Sequence, residues 1–314
     1  MILIAPDKYK GTLSAAEAAE IIKEALDRHD VIKAPMADGG EGTARILCRD
    51  LSWQPRDCYF VNPHTRTAVI DSSAVIGMSG IDPAHHDILR DTSYALGLKV
   101  REILKGGCKK VIIGIGGTRT CDGGMGFLDA LDRDKLHLYR DALIGLSDVR
   151  VPLVAPIGQP SALMFARQKG ATDIDIDVLH RRLTEIYREY PGWRSPFDGA
   201  GGGLGFAIAS VIGAECRDGA KYVLDNYDIS WQEISLIITG EGSIDTQTSQ
   251  GKVVSVLHAK GDELGIPVIA FGGTVTPALE SDTVISTTRF YPELPLDKNT
   301  AALRLSAAVK SVFS

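Results

Sequence analysis

One pattern recurs along this chain and limits what it can fold into. A short apolar run is followed by a turn of glycines and polar residues, and the turn by a run with helical spacing. The fullest copy spans Leu236 to Lys252 and leads into a helix-like run from Val253 to Leu264. Its start reads as a buried strand. Thr239-Gly240-Glu241-Gly242 reads as too glycine-rich to continue that strand. Shorter copies are Met1–Ala5 before Pro6–Thr12, Val31–Pro35 before Met36–Thr43, Val111–Ile115 before Gly116–Gly124, and Pro267–Phe271 before Gly272-Gly273-Thr274. Ser14 and Glu17 have the spacing of a capping box after the first copy. Strands alternating with helices predict an α/β chain with a largely parallel sheet. In such a sheet the turns at the strand carboxyl ends share one edge, where ligands bind.

Other segments fit this plan. Tyr59-Phe60-Val61 and Thr67–Ile70, separated by Asn62-Pro63-His64, read as a hairpin. Arg90–Ser93 precedes a helix running to about Leu104 and stopped by Gly106-Gly107. Arg167 and Lys169 lie just before an amphipathic helix carrying Leu179, Leu183 and Ile186. Cations there oppose the helix dipole, which favours an anion-binding role over a cap. Gly199–Gly205 opens an apolar run, Phe206–Ile212; its glycines suit close packing and close ligand approach equally. Val284–Thr287 reads as one more strand, and Ala301–Phe313 as a closing helix.

Composition excludes some function classes. The chain has 314 residues, 44% of them hydrophobic, and a net charge of −6. That balance argues against non-specific nucleic-acid binding. No apolar run is long enough to span a bilayer, and the N-terminus reads as a first strand with no basic leader. Five scattered cysteines without a CxxC pair suit a reducing cytoplasm and buried thiols. The histidines, including the adjacent His85-His86, have no metal-ligand spacing and read as surface or loop residues. Neither a Walker A motif nor a dinucleotide fingerprint occurs.

The turns bring together glycine, acid and lysine. Glycine-freed backbone N–H groups and helix N-termini can hold phosphate oxygens, carboxylates can hold Mg²⁺, and lysine neutralises charge. This combination suits phosphoryl transfer, and it also fits a phosphatase or a sugar-acid lyase. Residue chemistry alone leaves these open, together with plain solvated turns.

Six ordered blocks then resemble a known family. They are Ile4–Thr12, Met36–Thr43, Ile113–Gly124, Gln168–Ala171, Gly201–Gly205, and Thr239–Thr248 with Gly251-Lys252. Together they resemble the bacterial glycerate kinase type 1 family, over nearly the whole chain. The resemblance implies a cytoplasmic kinase that uses ATP and Mg²⁺ to phosphorylate D-glycerate, commonly to 2-phosphoglycerate. It implies two α/β domains with the active site in the cleft between them. One domain is doubly wound, Rossmann- or flavodoxin-like and discontinuous (1–55 and 225–314), and the second is inserted (56–224). The partners implied are small molecules, with no nucleic acid or membrane, in a monomer or homodimer.

The resemblance also gives a candidate site. Asp38, Asp122, Asp245 and Lys10 are the candidate catalytic residues, with Asp38 or Asp245 as first choices for the base. Gly39, Gly40, Glu41, Gly116, Gly117, Thr118, Thr120, Gly240, Glu241, Gln247, Lys252, Gly272 and Gly273 are candidates for nucleotide binding. Arg90, Asp148 and Lys169 are candidates for the substrate, and Asp38, Glu241 and Asp245 for Mg²⁺. The chain departs from the family pattern at Lys8-Tyr9, Asp91, Ala95-Leu96, Cys121 and Val151. These departures leave two alternatives: a kinase of another small hydroxy acid, and a non-catalytic regulator that binds glycerate or nucleotide.

Overall fold

The computed structural model describes residues 1–27, 30–78, 86–245 and 252–313. In chain order the strands are β1 (Ile2–Ile4), β2 (Val31–Lys33), β3 (Gln54–Pro55), β4 (Tyr59–Asn62), β5 (Thr67–Asp71), β6 (Lys110–Gly114), β7 (Leu143–Ser147), β8 (Glu215–Asp218), β9 (Leu236–Ile244), β10 (Val268–Val275) and β11 (Val284–Ser286). The α-helices are α1 (Ala15–Leu26), α2 (Thr43–Leu47), α3 (Ser73–Ile76), α4 (Tyr94–Lys105), α5 (Met125–Leu131), α6 (Asp173–Glu189), α7 (Gly219–Asp225), α8 (Val253–Leu264) and α9 (Lys298–Phe313). The chain is of the α/β class and divides into two compact units. One comprises Met1–Asp38 and Ala220–Ser314, the other Gly39–Gly219.

The first unit is built on five parallel strands in the order β11-β10-β9-β1-β2. Numbered within the unit, that order is 2-1-3-4-5, the doubly wound, flavodoxin-like arrangement. Its switch point, where such sheets bind ligands, lies between β1 and β9. Ile2, Ile4, Ile238 and Phe271 pack with α1 and α9 in one core. Val254 of α8 packs with Ile244 and Ala270 in another. Full burial of each such aliphatic side chain is worth roughly 1.5–3 kcal/mol. The start of α1 follows from its sequence. Ser14 Oγ accepts from Glu17 N at 3.3 Å, and the Glu17 carboxylate accepts from Ser14 N at 2.9 Å.

The structure corrects one reading of the sequence. The Thr239–Gly242 stretch does not end its strand, because β9 runs on to Ile244 and β10 runs through Gly272-Gly273 to Val275. The two stay in parallel register to Ile244↔Val275. Glycine is required there for closeness. A Cβ on Gly240 would collide with the Phe271 carbonyl and the Tyr9 hydroxyl, and one on Gly273 with the Gly242 carbonyl.

The second unit has six strands in the order β3-β4-β5-β6-β7-β8, antiparallel from β3 to β5 and parallel from β5 to β8. The β4–β5 hairpin is set by Asn62, whose side-chain oxygen accepts from His64 N (3.0 Å) and Thr65 N (3.1 Å). This is the local turn chemistry that Asn supplies. The units divide at 38/39 and 219/220, where the sequence reading placed the divisions at 55/56 and 224/225. The segment after Asp38 is tied to the second unit by Asp71 at the end of β5, which accepts from Gly42 N (2.8 Å) and Ala44 N (2.9 Å). In the Gly199–Gly205 stretch the glycines serve packing. A Cβ on Gly202 (φ +68°) would collide with the Thr120 carbonyl, and one on Gly203 with Gly123.

These glycines differ in what a side chain would meet, and that difference is measurable. Gly158 has φ +90° but open space around it, so Gly158→Ala should cost only about 1–2 kcal/mol of left-handed strain. Gly202→Ala adds a backbone collision and should lose about 3 kcal/mol or more. Urea unfolding of the two variants checks the ordering. Equal losses would show that the close approach at Gly202 relaxes freely.

Candidate active site

In the first unit, the candidate residues lie around the β1–β9 switch point. Asp7 N donates to the Gly240 carbonyl (2.8 Å), which locks the end of β1 to β9. Asp7 is 4% exposed and Glu241 5%. Burial pushes the Asp7 carboxyl well above the usual carboxylate range, and the nearby charges of Asp38 and Glu241 push it further. Asp7, not named among the candidate site residues in the sequence, is therefore repelled by two neighbouring carboxylates. Its signal was its place at the end of the first strand. Asp38 and Asp245 are half-buried, as is Lys252, which precedes the first turn of α8. Tyr9 takes no part in proton transfer near neutral pH. Its hydroxyl donates to the Phe271 carbonyl (2.7 Å), and burial, with Glu241, holds it un-ionised. Gln247 lies outside the described residues, as does His85.

Among the described residues no group of three or more His, Cys, Asp or Glu is placed to hold a metal unaided. The set Asp38, Glu241 and Asp245 is therefore not assembled as a self-sufficient metal cage. Mg²⁺ is ordinarily bound by one or two carboxylates with phosphates and water. The crowding of Asp7, Asp38 and Glu241 suits a cation, because a positive charge would relieve the repulsion that raises Asp7.

In the second unit, two glycine turns meet. Gly116 N donates to the Gly39 carbonyl (3.1 Å), and a Cβ on Gly116 would lie 2.8 Å from Gly40 Cα. Glu41 and Gly117 are exposed beside this contact, and Asp148 is half-buried just past the end of β7. Thr118 and Thr120 are buried. Lys169 is brought to them: its Nζ donates to Thr118 Oγ1 (3.2 Å) and to the Thr120 carbonyl (2.8 Å). Burial holds this ammonium below the ordinary lysine range. Thr120 Oγ1 is buried without a hydrogen-bond partner among the described residues.

Two expected roles do not match this geometry. Asp122 accepts from Gly124 N (3.0 Å) with one oxygen, and from Ser93 N (2.8 Å), Ser93 Oγ (2.8 Å) and Gly126 N (3.1 Å) with the other. A carboxylate so saturated caps α5 and ties it to α4, which leaves it little capacity as a base or metal ligand. Arg90 stands in solvent with its side chain 89% exposed, paired only with Asp87 among the described residues. The cation placed at the turn after β6 is Arg119, whose Nε faces Asp91 at 3.3 Å. Asp91 also pairs with His86 Nδ1 (2.6 Å), and His86 Nε2 faces the Lys169 carbonyl. His86, read in the sequence as a surface or loop residue, lies in a loop and is a half-buried bridge there.

Comparison with known proteins accounts for this arrangement. The model of the glycerate kinase family matches residues 2–144 and 135–309. A Bacillus subtilis (strain 168) glycerate kinase is 31% identical over 332 residues, covering 88% of this chain and 85% of its own. An Escherichia coli (strain K12) glycerate 2-kinase is 30% identical over 332 residues, with the same coverage. A crystal structure from Salmonella typhimurium LT2, named as a glycerate kinase 2 candidate, superposes with a TM-score of 0.74 at 28% identity and covers 99% of this chain and 96% of its own. With nearly its whole length matched, the chain belongs to the glycerate kinase family and is a kinase.

Proposed function

We propose that this kinase transfers the γ-phosphoryl group of ATP to a hydroxyl of D-glycerate, giving 2-phosphoglycerate and ADP in the cytoplasm. The observation that carries the reading is the carboxylate set at the switch point of a doubly wound sheet: buried Asp7 and Glu241, with half-buried Asp38 acting on Asp7. The name of the Escherichia coli relative, a glycerate 2-kinase, supports the choice of hydroxyl. Five free thiols among the described residues fit a reducing compartment.

Asp38 and Glu241 would hold Mg²⁺, which when bound would offset the charge of the phosphates. Asp38 or Asp245 accepts the proton of the attacking hydroxyl, since both are half-buried and reachable. Lys10 and Lys252 neutralise charge on the transferring group. In the second unit, Gly117, exposed in the turn after β6, would offer backbone to a ligand without side-chain obstruction. Lys169 holds Thr118 and Thr120 in place behind the turn after β6. A kinase of another small hydroxy acid is the second reading. One observation favours it: Asp91, a departure from the family pattern, is committed to His86 and Arg119.

The first test is ADP release from Mg·ATP with D-glycerate, L-glycerate and other small hydroxy acids, each against a blank without acceptor. Strong stimulation by D-glycerate is expected. Stimulation only by another acid would transfer the assignment to the second reading, and none by any acid, with nucleotide still bound, would point to a regulator. Replacing single carboxylates separates chemistry from scaffolding. Asp245→Asn should lower turnover about 10²–10³-fold with the melting temperature nearly unchanged. Asp122→Ala should instead lower the melting temperature, because four donors lose their acceptor at a cost of about 1–3 kcal/mol or more. Near wild-type turnover for Asp245→Asn would remove that residue from the mechanism.

A further inference from the structure

The first unit contains a small cavity at the carboxyl ends of its central strands. Its volume is about 70 Å³, and its walls include Lys10, Arg304 and the hydroxyl-bearing Thr12, Thr274, Thr287 and Thr288. The backbone of Gly242 and Gly273 also lines it, and the close approach of those two strands admits no side chain there. Among the described residues the walls carry two cations and no carboxylate, in a chain whose net charge is −6.

Arg304 is the unusual member. It lies in α9 and is only 5% exposed. Its Nη2 donates to the carbonyls of Tyr291 (2.9 Å) and Leu294 (2.8 Å). Its Nε is buried with no hydrogen-bond partner, and the residue forms no ion pair among the described residues. A guanidinium cannot shed its proton to escape burial, and a buried charge without a counter-charge is costly. Lys10, also in the lining, is exposed and forms no ion pair among the described residues. Ala301 brings the first turn of α9 to the cavity, and the N-terminal end of a helix carries partial positive charge. All these features ask for an anion.

The geometry also selects the kind of anion. Planar carboxylate recognition uses two parallel N–H donors of one guanidinium, and Nη2 is already turned to two carbonyls. What remains of the guanidinium is the Nε–H and the Nη1 group, which do not form a parallel pair, together with an ammonium and several hydroxyls around a cavity of about 70 Å³. Donors spread in this way suit a tetrahedral anion with several oxygens.

We propose that this cavity is a phosphoryl subsite, with Arg304 and Lys10 as its cationic binding residues, and that in this kinase it takes a phosphate group of the nucleotide. The identification of the nucleotide rests on the kinase reading; the phosphoryl chemistry of the cavity does not. The same chemistry could come from free phosphate or from a phosphorylated product, and the test separates these sources.

The experiment is calorimetric titration of the full chain with ADP, adenosine, inorganic phosphate and 2-phosphoglycerate, in the presence of Mg²⁺. Wild type, Lys10→Met, Arg304→Lys and Arg304→Gln are compared. The expected result is that Lys10→Met and Arg304→Gln each weaken ADP roughly 10–100-fold, the range for losing a hydrogen bond to a charged group, and leave adenosine unchanged. Arg304→Lys, which keeps the charge, should recover part of the loss. Arg304 also ties two carbonyls, so if its variants fail to fold, Lys10→Met carries the test, since Lys10 is exposed. Unaltered ADP binding in Lys10→Met and in any folded Arg304 variant would overturn the proposal. Loss confined to inorganic phosphate or 2-phosphoglycerate would overturn the nucleotide assignment. A wild type that binds phosphate through Arg304 and Lys10 but not ADP would uphold the subsite while the kinase reading fails.

Discussion

Backbone approaching backbone without an intervening Cβ is the constraint on which both units depend. In the first unit, Gly240 lies against the Phe271 carbonyl and Gly273 against the Gly242 carbonyl, so that β9 and β10 stay paired to their carboxyl ends. In the second, Gly116 lies against Gly40, and Gly202 against the Thr120 carbonyl. Interiors packed at crystal density leave no slack for an added methyl group at such points. The same closeness removes side chains from the strand ends, and it is there that a ligand can reach the backbone.

The charges are arranged in the opposite sense. Each unit keeps ionisable groups where burial disfavours them: Asp7 and Arg304 in the first, Lys169 in the second. Asp7 is raised by burial and by two neighbouring carboxylates, whereas Lys169 is lowered by burial. Such arrangements oppose folding and persist where a ligand of opposite charge is to be bound. Asp122 shows the contrast. It is equally rich in bonds, but every one is to the chain's own donors, and its role is to hold two helices together.

Much of the local structure was legible. The Ser14–Glu17 capping box, the β4–β5 hairpin at Asn62 and the alternation of strands with helices rest on contacts close in sequence. The length of β9 was not, because a glycine run is a poor strand on its own and becomes one only when β10 supplies a matching glycine run beside it. The resemblance likewise favoured Arg90 as the cation near the substrate, although its side chain faces solvent and Arg119 occupies the turn. His86 had no motif, and its partners lie at Asp91 and at Lys169, 83 residues away. Arg304 left one faint trace: a charge at the position between Ala301 and Leu305 on the buried face of α9.

The sequence by itself determined the class of fold, the family and the residue types gathered at the strand ends. Those follow from apolar periodicity, glycine placement and motif order, which are properties of short stretches. Only the tertiary structure decided which of those residues are braces and which are held where burial disfavours their charge. That distinction depends on whether a charged atom is already satisfied by partners distant in sequence. Asp122 is satisfied by Ser93, Asp7 is pressed against Asp38 and Glu241, and Arg304 keeps a buried Nε–H with nothing to receive it. Saturation of this kind is fixed by three-dimensional neighbours, and no stretch of sequence contains them.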